Sequence, residues 1–250
     1  MRELLAGVNS IMEALKGRRR VEKIYLQQGR EGKRVEELLR LAQKRGVYVQ
    51  YVEKSKLDQM YSLSNHQGVV ARVESYEYAE IGEVLEIAAL KGQSPFLLIL
   101  DGIEDPQNMG AIIRTAECAG VHGIVIPRHQ SVEITAAVAK ASAGAVEHMP
   151  IIQETNLVNV IKELKEKGFW VIGADMDGSQ DYFSVTIPSP TVLVIGGEGQ
   201  GMRRLVKNNC DILVNIPMQG KINSLNAAVA SALLIYEVIR QRNGGAKAKK

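Results

Sequence analysis
Between residues 96 and 217 six short apolar runs recur: FLLILD (96–101), GIVIP (123–127), VEHMPII (146–152), FWVIGAD (169–175), TVLVIGG (191–197) and DILVNIP (211–217). The stretches between and after them carry helical spacing, over 109–119, 132–142, 156–167, 202–208 and 224–240. Continuous apolar strands alternating with helices predict a parallel sheet covered on both faces. The fold class read from this pattern is α/β. In such a sheet ligands bind beyond the carboxyl ends of the strands. Polar residues in the loops that follow strands are therefore the candidates for function.

A smaller α/β pattern precedes this one. The opening stretch, MRELLAGVNSIMEAL, reads as an amphipathic helix with acids in it rather than a secretory signal, and a helix is expected over 7–17. A strand follows at 21–28, then a helix at 33–46 with Val35, Leu38, Leu39 and Ala42 at helical spacing. A strand at 47–53, a short helix in SKLDQMY and a strand at 68–75 complete the unit. Its polar loop SLSNHQG (62–68) is suited to carrying function. The pattern lapses at 74–82. The expected division is a domain of residues 1–75, a linker and connecting helix at 76–94, a second domain at 95–242 and a basic tail at 243–250.

Charge divides along the same lines. Residues 1–78 hold 15 Lys/Arg against 10 Asp/Glu, residues 79–239 hold 11 against 18, and the last eleven residues hold five bases and no acid. Basic ends flanking an acidic middle suggest that a polyanion is held by one part and worked on by another. Cys118 and Cys210 stand alone, without CxxC spacing, which speaks against a disulfide framework or a zinc site and suits a reducing cytoplasm. No apolar run approaches the roughly 20 residues that cross a bilayer.

Three loops carry chemistry. The first, DGIEDPQNMGAIIRTAECAG (101–120), offers Asn108 as a helix cap, with Arg114 and Glu117 on one helix face. The second, IGGEGQGM (195–202), is a glycine-rich strand-to-helix turn around Glu198 in which a ligand can meet the backbone; it is neither GxGxxG nor a GK[ST] phosphate loop. The third, IPMQGKINSLN, leads into a helix expected to open at Ser224 with Asn223 or Ser224 as its cap. The polar pair Ser224 and Asn226 sits beside that opening, and the small residues Ala227, Ala228, Ala230, Ser231 and Ala232 follow. So little bulk suits close approach by a backbone or a ligand.

Together these segments resemble the SpoU, or TrmH, family of RNA ribose methyltransferases. The resemblance rests on Asn108 and Arg114 in the first loop, on Gly196, Gly197, Glu198, Gly199 and Gly201 in the second, and on Ile216, Pro217, Met218, Ser224, Leu225, Asn226 and Ala228 in the third. The N-terminal part, opened by GVNSIMEAL and nearly closed by NHQGVVA, resembles the substrate-binding domain of the ribosomal-RNA branch, closest to the 23S guanosine-2′-O-methyltransferases (RlmB). The resemblance implies a SPOUT methyltransferase domain whose C-terminal segment forms a deep trefoil knot, against the general rule that chains are unknotted. It implies S-adenosylmethionine as methyl donor, held near Gly196, Gly197, Gly199, Ile216, Met218, Leu225 and Ala228, with no metal. It implies a homodimer to which the last helix contributes.

The implied reaction is in-line methyl transfer to a ribose 2′-hydroxyl, which must be oriented and deprotonated because a neutral hydroxyl is a poor nucleophile. Asn108, Glu198, Ser224 and Asn226 would position groups around the transfer site, and Arg114 would act on the hydroxyl or its phosphate. Asn9, Arg18, Arg19, Arg20 and His66 of the small domain would grip RNA through phosphates. The expected partner is ribosomal RNA and the expected compartment the cytoplasm, with no membrane. Two alternatives stay open: methylation of transfer RNA, against which the N-terminal domain argues, and a ribosome-assembly factor that binds RNA without catalysis.

Overall fold
The computed structural model describes residues 2–62 and 65–247. The chain runs β1 (Arg2–Ala6), α1 (Val8–Lys16), β2 (Val21–Gln27), α2 (Lys33–Lys44), β3 (Tyr48–Val52), α3 (Lys54–Met60), β4 (Val69–Glu74) and α4 (Ile81–Leu90). It continues through β5 (Phe96–Asp101), α5 (Pro106–Cys118), β6 (Gly123–Pro127), α6 (Ala136–Ala141), β7 (Ile151–Glu154), α7 (Leu157–Glu166), β8 (Trp170–Ala174), β9 (Gln180–Asp181), β10 (Thr191–Gly196), α8 (Arg204–Lys207), β11 (Ile212–Asn215) and α9 (Ala227–Lys247). Contacts divide it into two compact units: Met1–Glu77 with Glu133–His148, and Tyr78–Val132 with Met149–Lys250.

The first unit is a four-stranded sheet in the order β1-β4-β2-β3. Only β2 and β3 run parallel; β4 is antiparallel to both its neighbours. Residues 2–6 form a strand rather than the start of a helix, because Gly7 at φ 94° turns the chain before α1 begins. The stretch 133–148, expected to lie wholly in the second domain, makes its contacts here. Ser10 Oγ donates to the Ala139 carbonyl at 3.4 Å, and His148 Nε2 pairs with Glu13 Oε2 at 2.8 Å. Arg19 Nε lies 3.2 Å from Glu147 Oε2, both side chains being almost fully buried.

The second unit holds a seven-stranded sheet in the order β7-β6-β5-β10-β8-β11-β9, parallel at every pairing. Strands β5 and β6 are buried throughout, as continuous apolar runs require. Leu97, Ile99, Val125, Val171, Val192 and Val194 pack with Val160, Ile161 and Leu164 of α7. The run VEHMPII is not one strand: Ala145–Glu147 is a 3-10 turn, and β7 begins only after Pro150, whose carbonyl accepts from Ile124 N. The helix expected at 132–142 shortens to α6 and that at 202–208 to α8, while the two-residue β9 carries no apolar pattern and was not expected. The first link after β5 leads to β6, whereas β10 lies on its other side, so strand order reverses between β5 and β10. A crevice for ligands opens at such a reversal, beyond the strands' carboxyl ends.

Of the expected basic tail, residues 243–247 are the last turns of α9, and Ala248, Lys249 and Lys250 lie outside the described residues. Among the described residues no helix is long and apolar enough to cross a membrane.

Candidate functional site
All three loops singled out in the sequence leave carboxyl ends of the parallel sheet, after β5, β10 and β11. Asp101, the last residue of β5, fastens the first two together. Its buried carboxylate accepts from Arg203 N at 2.8 Å and from Arg203 Nε, also an ion pair, at 2.6 Å. Its carbonyl accepts from Gly197 N at 2.8 Å. The loops meet so tightly that a Cβ on Gly197 would lie 2.1 Å from the Gly102 carbonyl oxygen, and one on Gly196 would lie 2.2 Å from the Gly201 carbonyl carbon. Glycine is required at both positions by space rather than by φ. Asp101 and Arg203 were not singled out in the sequence; an acid ending a buried apolar strand is the signal that could have found Asp101.

Three of the five proposed catalytic residues come together. Asn226 Nδ2 donates to Asn108 Oδ1 at 2.8 Å and to Glu198 Oε1 at 2.9 Å, and Asn108 Nδ2 donates to the same Glu198 oxygen at 3.0 Å. Ala227 N adds a longer donor to that oxygen at 3.4 Å. The helix α9 therefore opens at Ala227, three residues later than expected, and its cap is Asn226, whose Oδ1 accepts from Ala228 N at 3.0 Å and Val229 N at 3.3 Å. Asn223 and Ser224 stay in the loop. Likewise α5 is capped by Asp105, which accepts from Asn108 N at 2.8 Å, leaving the Asn108 amide free for the network.

The amide orientations follow from this arrangement. A cap must accept and a carboxylate must accept, so Asn226 turns its oxygen to the helix and its nitrogen to Glu198. The carboxylate in turn lies at the amino end of a long helix, where negative charge is favoured. The side chains of Arg114 and Ser224, both exposed, make no hydrogen bond or ion pair among the described residues; in particular the Arg114 guanidinium is not paired with Glu117. The residues proposed around the donor, Gly196, Gly197, Gly199, Ile216, Met218, Leu225 and Ala228, all belong to the second and third loops or to the first turn of α9. Among the described residues, backbone groups of 216–225 make no backbone–backbone hydrogen bond; residues 216–218 are half-buried and 219–225 exposed. Among the described residues no group of three or more His, Cys, Asp or Glu is arranged to hold a metal ion.

Residues 95–236 match the SpoU rRNA Methylase family, and residues 4–79 match the domain described as RNA 2′-O ribose methyltransferase substrate binding. The chain belongs to the SpoU rRNA methylase family. It is thus an RNA 2′-O-ribose methyltransferase by descent. It is 47% identical over 241 residues to the Bacillus subtilis protein YacO, which carries a TrmH family tRNA/rRNA methyltransferase name, with 96% of each chain covered. A Staphylococcus haemolyticus relative of the same description is 44% identical over 240 residues, again with 96% of each covered. Among solved structures, the SpoU methyltransferase AviRb of Streptomyces viridochromogenes in complex with AdoMet superposes with a TM-score of 0.80 at 25% identity, covering 97% of this chain and 91% of that one. An AdoMet-bound rRNA methyltransferase of Sinorhizobium meliloti gives 0.78 at 26% identity, covering 96% and 87%. The TrmH/SpoU tRNA modifying enzyme of A. aeolicus gives 0.56 at 27%, covering 62% and 78%.

The five residues proposed to grip RNA fare unequally. Asn9, Arg18 and Arg20 are exposed. Arg19 is not available to a phosphate: its side chain is 3% exposed, held by Glu147 and Glu3 and lying 5.3 Å over the Tyr76 ring. His66 is also built in. Its Nδ1 accepts from Gly68 N at 3.0 Å, so Nε2 carries the proton and donates to Asp58 Oδ1 at 2.9 Å. What the polar loop does form is a cleft of ≈ 730 Å³ whose lining includes Gln27, Arg30, Lys54, Asn65 and Gln67. A second cleft, ≈ 720 Å³, gathers Arg2, Arg18, Arg20 and Arg45. Arg30, Lys54 and Arg45 were missed because isolated bases in turns and at helix ends carry no motif.

Proposed function
We propose that this chain transfers a methyl group from S-adenosylmethionine to a ribose 2′-hydroxyl of ribosomal RNA, with a guanosine of 23S RNA, as in the RlmB branch, as the target. The observation that carries the reading is the Asn108–Glu198–Asn226 network, which joins side chains 90 and 118 residues apart at the ends of three parallel strands. The proposal extends to the knotted path, which rests on the family, to the cytoplasmic location, which rests on the lone cysteines, and to the domain limits 1–75 and 95–242, which rest on the lapse of pattern at 74–82.

The donor supplies a methyl group activated by its sulfonium. Loop 216–225, with its unengaged backbone, fits an adenine read by amides and carbonyls; Gly196 and Gly197 let the second loop close on Gly201 and Gly102, and Gly199 has open space where a Cβ would stand. Glu198, receiving its donors on one oxygen, is a fixed carboxylate around which the loops are oriented. The Arg114 guanidinium steadies the charge that develops on the ribose oxygen and its neighbouring phosphate, while another acceptor takes the proton. Asn9, Arg18 and Arg20 hold RNA phosphates.

The homodimer has its own support. On α9, Val229, Leu233 and Tyr236 stand at positions four and three apart, one helix face, and are 50%, 38% and 51% exposed. An apolar stripe of that kind on a long helix suits a second copy of the chain. Ribosomal and transfer RNA from a strain lacking the gene, each incubated with the chain and labelled donor, test the substrate. Label in large-subunit RNA alone is expected; label in transfer RNA alone would replace the substrate reading.

A further inference from the structure
We infer that the sheet face carrying Lys23, Tyr25 and Tyr48 is a stacking platform for an unpaired nucleotide of the RNA substrate. The inference rests on the substrate-binding reading of residues 4–79 and names a place for it. In the β2–β3 register Lys23 lies opposite Tyr48 and Tyr25 opposite Gln50, so alternation puts all four on one face. Across β2 the same row continues, with Lys23 opposite Arg72 of β4. The Lys23 ammonium lies 5.0 Å from the centre of the Tyr25 ring and 5.2 Å from that of Tyr48.

The two rings differ in what they do for the fold. Tyr25 packs against the cluster of Val52, Leu57, Tyr61 and Val70. Tyr48 sits at the start of the edge strand and is 64% exposed, so the core does not account for an aromatic there. A ring has two faces; the ammonium takes one of them and orients it, and a base can stack on the other. The surroundings are basic. Arg2 and Arg72, with side chains 68% and 40% exposed, share the single carboxylate of Glu22 at 2.8 Å each, leaving Lys23 and one arginine charge in excess. Exposed aromatic with neighbouring cations matches the two needs of single-stranded RNA, a base face and a phosphate. A duplex would not fit, since it keeps base faces inside its own stack.

The test is fluorescence anisotropy with the full-length chain, using a short unstructured RNA and a blunt duplex RNA as probes at several salt concentrations. Tyr48→Ala should weaken binding of the unstructured RNA roughly 5- to 100-fold, as loss of one stacked base does, with an unchanged salt slope. Tyr48→Phe should stay within about 2-fold, because the π face is kept. Lys23→Gln should lower the salt slope by about 0.7, the loss of one phosphate contact on a single strand. Duplex affinity should not change for Tyr48→Ala. Wild-type affinity of Tyr48→Ala for the unstructured RNA, or an equal loss on both RNAs, overturns the platform alone. If the unmodified chain binds neither RNA, the substrate-binding reading fails along with it.

Discussion
Replacing Asn226 by aspartate separates its two jobs. Aspartate caps helices as well as asparagine does, so the bonds from Ala228 N and Val229 N survive. The donor to Glu198, however, becomes a carboxylate oxygen at about the 2.9 Å now spanned by a hydrogen bond. Two unit charges at that separation repel by about 1.4 kcal/mol in a water-like dielectric and by about 6 kcal/mol at an effective value of 20. Both residues are exposed, so the lower figure governs, and it corresponds to about one pKa unit. Asn226→Asp, capped but carrying that repulsion, should therefore melt about 3–6 °C below the unmodified chain at pH 8 and recover as pH falls, whereas Asn226→Ala, losing a cap worth about 1 kcal/mol, should melt about 2–4 °C lower at either pH. In single-turnover methylation both variants should be slow at pH 8. The aspartate variant alone should regain ground on the unmodified chain as pH falls towards 5, because one shared proton restores a donor between the two carboxylates. A pH-independent rate ratio, or unimpaired turnover by Asn226→Asp, would show that donation to Glu198 is not what holds the site.

Gly197→Ala places a Cβ against the Gly102 carbonyl, with backbone on both sides of the clash; a loss of at least about 1–3 kcal/mol and weakened donor binding are expected by thermal melting and calorimetry. Arg114→Lys should retain more turnover than Arg114→Ala, since charge is kept while the two-pronged geometry is lost; equal rates for the two at every pH would favour a general-base arginine instead. Burial pushes the Cys210 thiol up to about 12, whereas Cys118 is exposed. A thiol reagent at pH 8 should thus titrate one cysteine in the native chain and two after unfolding, and rapid reaction of both would contradict the packing around β8.

Much of the second unit was legible because each strand there is a buried apolar run, as β5, β6 and β10 are. The network residues were legible by resemblance, not by periodicity. What stayed hidden depends on partners far along the chain. The opening of α9 was misplaced because Asn223, Ser224 and Asn226 are all competent caps; Asn226 is the one held by Asn108 and Glu198, which no local pattern reveals. The strand β1 reads as helix until its pairing with β4, some 70 residues later, is known. Arg19, the middle of three consecutive arginines, looks solvated by its neighbours, yet its partners are Glu3 and Glu147. A buried pair of that kind is costly to break from one side. The same long-range contacts draw 133–148 to the first unit.

The central claim is methylation at a ribose oxygen, and alkaline hydrolysis tests it most directly. Base cleaves RNA through the free 2′-hydroxyl, so a 2′-O-methylated nucleotide resists and leaves the digest as a dinucleotide. Ribosomal RNA labelled by this chain with tritiated S-adenosylmethionine should release its tritium in alkali-resistant dinucleotides, and Glu198→Gln should reduce that yield. Tritium recovered in mononucleotides would put the methyl group on a base and contradict the account.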